Sequence, residues 1–423
     1  MRYIALLLLL AVFGLVAYGW LVSDGDSGSD QSTVAASTGF MPIRLDSGPF
    51  VAARPRHFKA PEVQNIVLPK VGASDVSWGA IGSDRLGNIY MGLSESYSEP
   101  RSASMVRWRP ENQRVEVMGN VLQALQQADM AEAGASQGKI HSQFVSASDG
   151  FLYFTSFDEA GESDTQLPTW GGHLWRIDPV KAVWEHLVHT PEALIAINTD
   201  GHYVYALGYW GHVLYQYDTA TGRVHKTEVG SVPGHVSRQL LVDGEGHVYV
   251  PKLIPAANEQ GFVAVLAELD NRLNVVHEFP LPEYSDNRMS SYRGIVGFTT
   301  MKNGDVFFTL HKGQLFRLHA EGSKDTKLEK IGFFNPAGEA NIPSLFSIDG
   351  EQFVMGASRR SGSEPEWLIY ETTSGTTVSY PMPELADFLF FGTQVKDESG
   401  AMYLVGQHNN TRSPKVVRLS FPE

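Results

Sequence analysis

Histidines stand at matching positions ahead of two tight-turn sequences. His141 and His235 each lie eight residues before an aspartate, Asp149 and Asp243, that begins an Asp-Gly pair. Gln143 follows His141 by two residues, so an extended chain would place both side chains on one face. Imidazole changes its charge near neutral pH and is a common ligand of divalent metals. These positions are therefore candidates for proton transfer or metal binding.

A second set of polar and aromatic residues follows the short β-rich segment that comes after such turns. Its members are Tyr209, Trp210, Lys252, His311, Arg359 and His408, while Arg238 and Arg293 precede turns as the two histidines do. The arginine fork matches the geometry of a carboxylate, and aromatic faces stack on ring-shaped ligands. Brought together, the two sets would form a pocket for an anionic, ring-shaped ligand such as a uronic acid. The alternative is that long polar side chains at strand ends are simply solvated.

One phrase recurs along the body of the chain: a strand, a turn of Asp or Asn with Gly, and a second strand rich in aromatic or β-branched residues. Its seven turns begin at Asp84, Asp149, Asp200, Asp243, Asn303, Asp349 and Asp397. Such a turn between two β-rich runs is a strong hairpin signal because it demands positive φ. The turns are roughly 43 to 65 residues apart, a spacing that suits units of four strands.

The two ends of this repeated region predict how it closes. Lys415 to Phe421 is a strand without an outer partner, whereas Val63 to Leu68 is a strand without a hairpin of its own. Pairing the two would complete a seventh sheet and remove an exposed edge. We therefore predict an all-β, seven-bladed β-propeller of four-stranded antiparallel blades, with six or eight blades as the alternative.

The predicted fold brings the two residue sets together. In a four-stranded blade the inner strand runs from one face of the disc to the turn, and the second strand returns to the first face. Residues ahead of the inner strands and residues after the second strands then meet at one mouth of the central channel. Four of them are histidines from different blades: His141, His235, His311 and His408. Three imidazoles with one open position would suit a catalytic divalent ion, the one cofactor that the pattern suggests.

Composition excludes several classes of function. The chain has 33 Lys and Arg against 47 Asp and Glu, a net charge of -14. This balance argues against nucleic acid and against anionic lipid as partners, since both need a basic footprint. There is no cysteine, which excludes disulfides, thiolate nucleophiles and Cys-ligated zinc.

Before the propeller, residues 1–23 predict an export signal or a membrane anchor, because Ile4 to Val22 is an uncharged apolar run. Either alternative places the propeller outside the cytoplasm, in the periplasm or secreted. A membrane anchor would hold it to the inner membrane through residues 4–22. Residues 24–60 are interpreted as a polar linker and approach segment, and residues 61–423 as the propeller.

One segment of the propeller region is predicted to be helical. Val121 to Ala133 has apolar residues at helical spacing. This helix would form a lid over one face or a surface insertion.

The repeated phrase resembles β-propellers of the NHL, YVTN and gluconolactonase-like kind, over nearly the whole body. This resemblance implies the fold. Gluconolactonase-like enzymes hold their metal with carboxylates and asparagine, and no such set is present here.

The segment Gly138 to Phe144 is similar to the histidine-bearing inner strand of propeller polysaccharide lyases, of the ulvan lyase and oligogalacturonate lyase type. That similarity implies His141 as base or metal ligand and Tyr209 as acid. It implies Arg238 or Arg293 as the group that neutralises the uronate carboxylate, so that an enolate-like intermediate is stabilised. Gln143, Trp210, Lys252 and Arg359 would then bind substrate.

Three functions are consistent with these observations. The first is an exported carbohydrate-active propeller, a lyase on uronic-acid-containing polysaccharide. The second is a non-catalytic propeller that binds an anionic glycan, a small anionic ligand or a protein at the cell envelope. The third is a metal-dependent hydrolase or lactonase.

Overall fold

A computed structural model describes residues 59–421 except 98, 159–166, 210, 233, 258–260, 285–293, 320–325, 349–351 and 393. All of them belong to the compact unit Arg56–Glu423. The predicted leader, nearly all of the linker, Trp210 and Arg293 lie outside the described residues. Within the described part, no helix has the length and apolar character needed to cross a membrane.

The described residues form seven four-stranded antiparallel sheets, as the repeat predicts. The first strand, β1 (Glu62–Ile66), belongs to the seventh blade, and the first three blades follow it in the chain. Blade one contains β2 (Ile81–Ser83), β3 (Ile89–Leu93), β4 (Ser104–Arg109) and β5 (Arg114–Asn120). Blade two contains β6 (Val145–Ser146), β7 (Leu152–Phe157), β8 (Gly172–Asp178) and β9 (Val183–Thr190). Blade three contains β10 (Leu194–Thr199), β11 (Tyr203–Gly208), β12 (Val213–Asp218) and β13 (Val224–Glu228).

The remaining four blades continue in the same order from the inner strand outwards. Blade four contains β14 (Leu241–Val242), β15 (Val248–Pro255), β16 (Phe262–Leu269) and β17 (Val275–Pro280). Blade five contains β18 (Ile295–Thr300), β19 (Val306–Leu310), β20 (Gln314–His319) and β21 (Lys327–Phe333). Blade six contains β22 (Phe346–Ile348), β23 (Phe353–Ser358), β24 (Glu366–Glu371) and β25 (Thr376–Pro381). Blade seven contains β26 (Phe388–Phe391), β27 (Met402–His408), β28 (Pro414–Ser420) and, as its outer strand, β1.

In six blades the predicted turns connect the inner two strands, and several also tie these strands together. The seventh predicted turn, at Asp349, lies outside the described residues. The turn aspartate accepts a hydrogen bond from a tyrosine of the second strand. The pairs are Asp84–Tyr90, Asp149–Tyr153, Asp200–Tyr205, Asp243–Tyr249 and Asp397–Tyr403. Burial raises the pKa of Tyr90 to about 12, so its hydroxyl keeps its proton and donates. The recurring Asp and Tyr of the phrase, four to six residues apart, therefore have a second role besides the turn geometry.

A short helix, α1 (Val121–Gln127), lies between blades one and two. The side chain of Asn120 caps its first turn by accepting from the Gln123 amide at 3.0 Å. The helix ends earlier than the predicted Ala133 because Asp129 takes a left-handed φ of 56°. Its buried side chains join the apolar cluster of these two blades, so the helix fills the space between the blades instead of forming a lid.

The ring closes through β1 and β28, as the sequence predicts. The two strands pair antiparallel, with Glu62 opposite Ser420 and Ile66 opposite Val416. The predicted strand, Val63 to Leu68, extends two residues too far. Ile66 packs into the cluster between blades one and seven. This pairing gives the seventh sheet four strands, as in the other six, with β1 at its outer edge.

Truncating Ile66 tests how much the closing strand stabilises the ring. Ile66 is 6% exposed, whereas its neighbour Val67 is 85% exposed. We expect Ile66→Ala to lower the free energy of unfolding by about 2–4 kcal/mol, and Val67→Ala to change it by less than about 0.5 kcal/mol. Urea denaturation followed by tryptophan fluorescence measures both. Equal effects of the two substitutions would show that β1 does not contribute to closure.

Candidate functional site

The residues ahead of the inner strand and those ending the second strand do meet in blade two. The amide of Lys139 donates to the carbonyl of Phe157 at 3.2 Å, and the amide of Phe157 donates to the carbonyl of Lys139 at 3.0 Å. Because β6 runs to the turn and β7 returns, this exchange places the start of the one beside the end of the other. His141 follows two residues later, and its ring lies 6.4 Å from the ring of Phe157.

Aromatic and cationic side chains from several blades gather around His141. We call them the mouth cluster, which consists of Trp78, Lys139, His141, Phe157, Arg238 and Phe391. Trp78 comes from the segment before β2, Arg238 from the segment before β14, and Phe391 from β26. The cluster therefore draws on blades one, two, four and seven.

Ring stacking and cation–π contacts hold the mouth cluster together. Trp78 lies nearly parallel to His141, with ring centroids 6.4 Å apart, and 5.3 Å from Phe391. The Lys139 ammonium sits 5.7 Å from the Trp78 ring and 5.8 Å from Phe157. The Arg238 guanidinium lies 5.2 Å from the Phe391 ring. Blades four and seven are on opposite sides of a seven-membered ring, so Arg238 reaches across the channel.

The imidazole of His141 is buried beside these cations. The residue is 6% exposed, and its Nδ1 has no hydrogen-bond partner among the described residues. Burial lowers the pKa of His141 well below its usual range, and the positive charges of Arg238 and Lys139 lower it further. His141 is consequently neutral at pH 7, and its Nδ1 is able to donate to or accept from a ligand atom.

The mouth cluster combines cations with aromatic rings. The charges of Lys139 and Arg238 both act on the imidazole of His141, so a negatively charged group near that imidazole would interact favourably with both. Trp78 and Arg238 are partly exposed, whereas Lys139, His141 and Phe391 are buried. A ligand from solvent would therefore meet Trp78 and Arg238 first.

The predicted catalytic residues are only partly brought together. His141 and Arg238 lie in one cluster, as predicted. Tyr209 packs its ring 5.9 Å from Phe157, on which the His141 ring also packs. Phe157 thus contacts both proposed partners in proton transfer. Arg293, the other predicted neutralising group, lies outside the described residues.

The predicted metal centre of His141, His235, His311 and His408 is not assembled. No three His, Asp or Glu side chains in the described part of the chain form a group that could hold a metal ion. His235 instead contacts Ser231 Oγ and the Tyr284 hydroxyl, both at 2.7 Å. His408 pairs with Asp387 at 2.8 Å. His235 and His408 thus have partners close to their own strands, whereas the Nδ1 of His141 has no partner among the described residues.

Three of the predicted substrate-binding residues have structural contacts. Gln143 donates to the carbonyl of Ile197 at 2.9 Å, which ties blade two to blade three. Lys252 forms an ion pair with Glu278 at 2.6 Å. Arg359 donates to the backbone carbonyls of residues 385, 386 and 388. The fourth residue, Trp210, lies outside the described residues.

Sequence reasoning missed three aromatic members of the mouth cluster, Trp78, Phe157 and Phe391, and one group of histidines. Trp78 lies six residues before the turn residue Asp84, two residues nearer the turn than the position that selected His141, so the same rule gives Val76 in blade one and not Trp78. Phe391 lies within an inner strand and gave no signal of its own. The histidines are His173, His186 and His189, which pack together on blade two.

Comparison with known proteins supports the fold. No protein-family model matches the chain, and no curated protein matches it. The extracellular domain of the one-component system BT4673 from B. thetaiotaomicron has a TM-score of 0.51 at 13% identity, over 85% of this chain and 39% of that chain. YCF48 bound to D1 peptide has a TM-score of 0.48 at 10% identity, over 85% and 98%. Sqt1 of Saccharomyces cerevisiae has 0.47 at 11%, over 84% and 88%.

Identities this low establish shape only. Together with the seven closed sheets, they define the class: the chain is a seven-bladed β-propeller. Its mouth cluster is a feature of this chain's own side chains.

The depressed pKa of His141 predicts a pH dependence of stability. The pKa of His141 is lower in the folded protein than the ordinary value of about 6.5. Below pH 6.5 the unfolded chain therefore binds a proton that the folded protein does not, and the free energy of unfolding decreases as the pH falls. We expect His141→Phe, which keeps a ring against Trp78, to flatten the slope of unfolding free energy below pH 6.5. The change should approach about 1.4 kcal/mol per pH unit. Urea unfolding from pH 7.5 to 4.5 measures it.

A matched control is His225→Phe, because His225 is an exposed residue of the outer strand β13. It should leave the slope as in the unaltered protein. If His141→Phe and His225→Phe give the same pH profile, His141 is not held neutral in the folded protein.

Proposed function

We propose that this propeller binds an anionic ligand at the mouth cluster, and that the ligand carries a carboxylate on a ring, as a uronic acid residue of a glycan does. The observation that carries the proposal is a buried, neutral His141 held between Lys139 and Arg238. A carboxylate offsets both positive charges. A hydrogen bond from the imidazole to the carboxylate would require the His141 Nδ1, which is buried and has no partner among the described residues, to become accessible when the ligand binds.

The chemistry of the cluster favours a sugar acid over a simple anion. Trp78 and Phe391 supply ring faces 5.3 Å apart at their centroids, against which the apolar face of a pyranose packs. Arg238 supplies a fork for the carboxylate. Small inorganic anions would satisfy the charges but leave the aromatic surface without a partner.

The proposed location is outside the cytoplasm, where such glycans are found. It rests on the apolar run Ile4 to Val22, read as an export signal or as an anchor in the inner membrane. The resemblance to NHL, YVTN and gluconolactonase-like propellers is consistent with ligand binding at a channel mouth.

Loss of the arginine charge tests the binding proposal. We expect galacturonate or glucuronate oligosaccharides to bind the full chain and Arg238→Gln to weaken binding about 10- to 100-fold. That range corresponds to about 1.5–3 kcal/mol for a hydrogen bond to a charged group. Isothermal titration calorimetry measures the affinity, with neutral oligosaccharides of the same length as the reference ligand.

The control variant is Arg223→Gln, since Arg223 is exposed in blade three away from the mouth cluster. It should bind as the unaltered protein does. Equal affinity for acidic and neutral oligosaccharides, or equal losses in the two variants, would remove the mouth cluster as the binding site.

A second candidate function is a polysaccharide lyase at the same cluster. In β-elimination the base takes the proton beside the carboxylate, a carbon–carbon double bond forms, and the bond to the leaving oxygen breaks as that oxygen gains a proton. His141 is unprotonated and so able to act as the base. A bound carboxylate would offset the charges of Lys139 and Arg238, which raises the pKa of the imidazole again. The rings of His141 and Tyr209 both pack on Phe157, which is the observation that brings the proposed base and the proposed acid into one neighbourhood.

Product formation separates the lyase from the binding protein. A lyase would generate unsaturated uronate, seen as increasing ultraviolet absorbance, and His141→Gln would abolish it while ligand binding remains. The amide keeps a hydrogen-bonding group at the site but is not a base. Binding of acidic oligosaccharides without any absorbance change across the panel would leave a binding propeller.

A further inference from the structure

Three histidines of blade two share one face of the sheet because of a β-bulge. His173 lies opposite His189, and Trp175 lies opposite His186, while the register shifts by one residue between the two pairs. Residues three apart on a regular strand point to opposite faces, but the extra residue returns His186 to the face of His189. Bulges often redirect side chains in this way at functional sites.

The nitrogens of two of these rings are close together. Nδ1 of His173 lies 2.9 Å from Nε2 of His186. Two nitrogens bound at a right angle to one metal, each at about 2.05 Å, are separated by about 2.9 Å. The separation therefore equals the edge of a square-planar or octahedral ligand set, the geometry that Cu(II) and Ni(II) prefer.

We propose that His173 and His186 form a chelating pair for a divalent transition-metal ion, with Cu(II) bound most tightly. The proton now shared between the two rings moves to another ring nitrogen, so that both lone pairs turn toward the metal. No proton is gained or lost in this change of tautomer. Water or a carboxylate fills the remaining positions.

The two rings of the pair differ in their surroundings. His173 is 5% exposed, and with His189 it lines a small cavity of about 40 Å³ that His186 does not line. His186 is half-buried, so solvent reaches the pair from the outer strand.

Burial and the neighbouring imidazoles also keep the pair unprotonated. Burial lowers the pKa of His173 to about 3, and the charges of His186 and His189 would oppose its protonation. Only the unprotonated imidazole is a ligand. His189 itself stacks on His173 with an angle of 12° between the rings. Lone pairs of stacked rings run parallel, so His189 supports the pair without joining it.

The other close histidine pair does not have these properties. The rings of His212 and His235 are 4.6 Å apart, but Nε2 of His212 contacts the backbone carbonyl of His235 at 3.1 Å. Both ring nitrogens of His235 contact hydroxyl groups, those of Ser231 and Tyr284. Proximity of two imidazoles is therefore not sufficient for a chelating pair. The ring nitrogens of His173 and His186 face each other, whereas Nε2 of His212 contacts a backbone carbonyl.

Copper titration of the full chain tests the proposal. After treatment with a chelator, the protein should bind one Cu(II) tightly at pH 7, and electron paramagnetic resonance should show coupling to two nitrogens. We expect His186→Ala to weaken this site at least about tenfold, as the loss of a group that orients a ligand already does. His189→Ala should retain the two-nitrogen signal, since its ring stacks and does not coordinate.

The control is His225→Ala, an exposed histidine of blade three, which should bind as the unaltered protein does. Thermal unfolding of each variant without metal identifies any loss of fold. If the unaltered protein binds Cu(II) no more tightly than a folded His186→Ala variant, the pair is only a hydrogen bond. If His189→Ala abolishes the two-nitrogen signal, the assignment of the ligands is wrong.

Discussion

The closed ring of sheets is the constraint on which every other contact depends. Each blade packs its faces against the two neighbouring blades. The pairing of β1 with β28 completes blade seven, and Ile66 of β1 packs in the apolar cluster between blades seven and one. Segments ahead of several inner strands are held by backbone pairing, as Val76 is with Ser94 in blade one and as Gln239 of blade four is with Ile295 of blade five. Lys139 is held in this way by its exchange of hydrogen bonds with Phe157. Arg238 and Phe391, about 150 residues apart in the chain, become neighbours only through closure.

The two ends of a blade carry different kinds of information. At the turn end, the aspartate and a tyrosine of the second strand repeat from blade to blade, and in several blades an arginine of the third strand joins them, as Arg418 does with Asp397 at 3.0 Å. Blade four departs from this pattern: Glu268 occupies the position opposite Tyr249 and lies 2.6 Å from His247. At the mouth end the residues vary more from blade to blade: Trp78, His141 and Arg238 belong to segments ahead of three different inner strands. The repeated end stabilises the ring, and the variable end is where a ligand site can form.

The fold was predictable from the sequence because its signals are local. A turn of Asp and Gly requires positive φ, as Gly150 with its φ of 83° does, and alternation of apolar residues marks each strand. The mouth position of His141 and Arg238 followed from the direction of the strands. Strand direction gives the height of a residue in the channel but not the partners of its side chain, so it could not decide whether the four proposed histidines meet. The histidines of blade two were not predictable, since a bulge of one residue decides the face on which His186 lies.

Both proposed sites contain a buried, neutral imidazole, yet one site is proposed for an anion and the other for a metal ion. The difference lies in the charged groups next to each imidazole. At the mouth, Arg238 and Lys139 are permanent cations, so the imidazole of His141 remains neutral while the surrounding field attracts anions. On blade two, the groups whose charge would oppose protonation of His173 are the imidazoles of His186 and His189. An imidazole is not a permanent cation, and in its neutral form it does not repel a metal ion. The same side chain is thus directed toward a carboxylate or toward a metal by whether its neighbours can lose their charge.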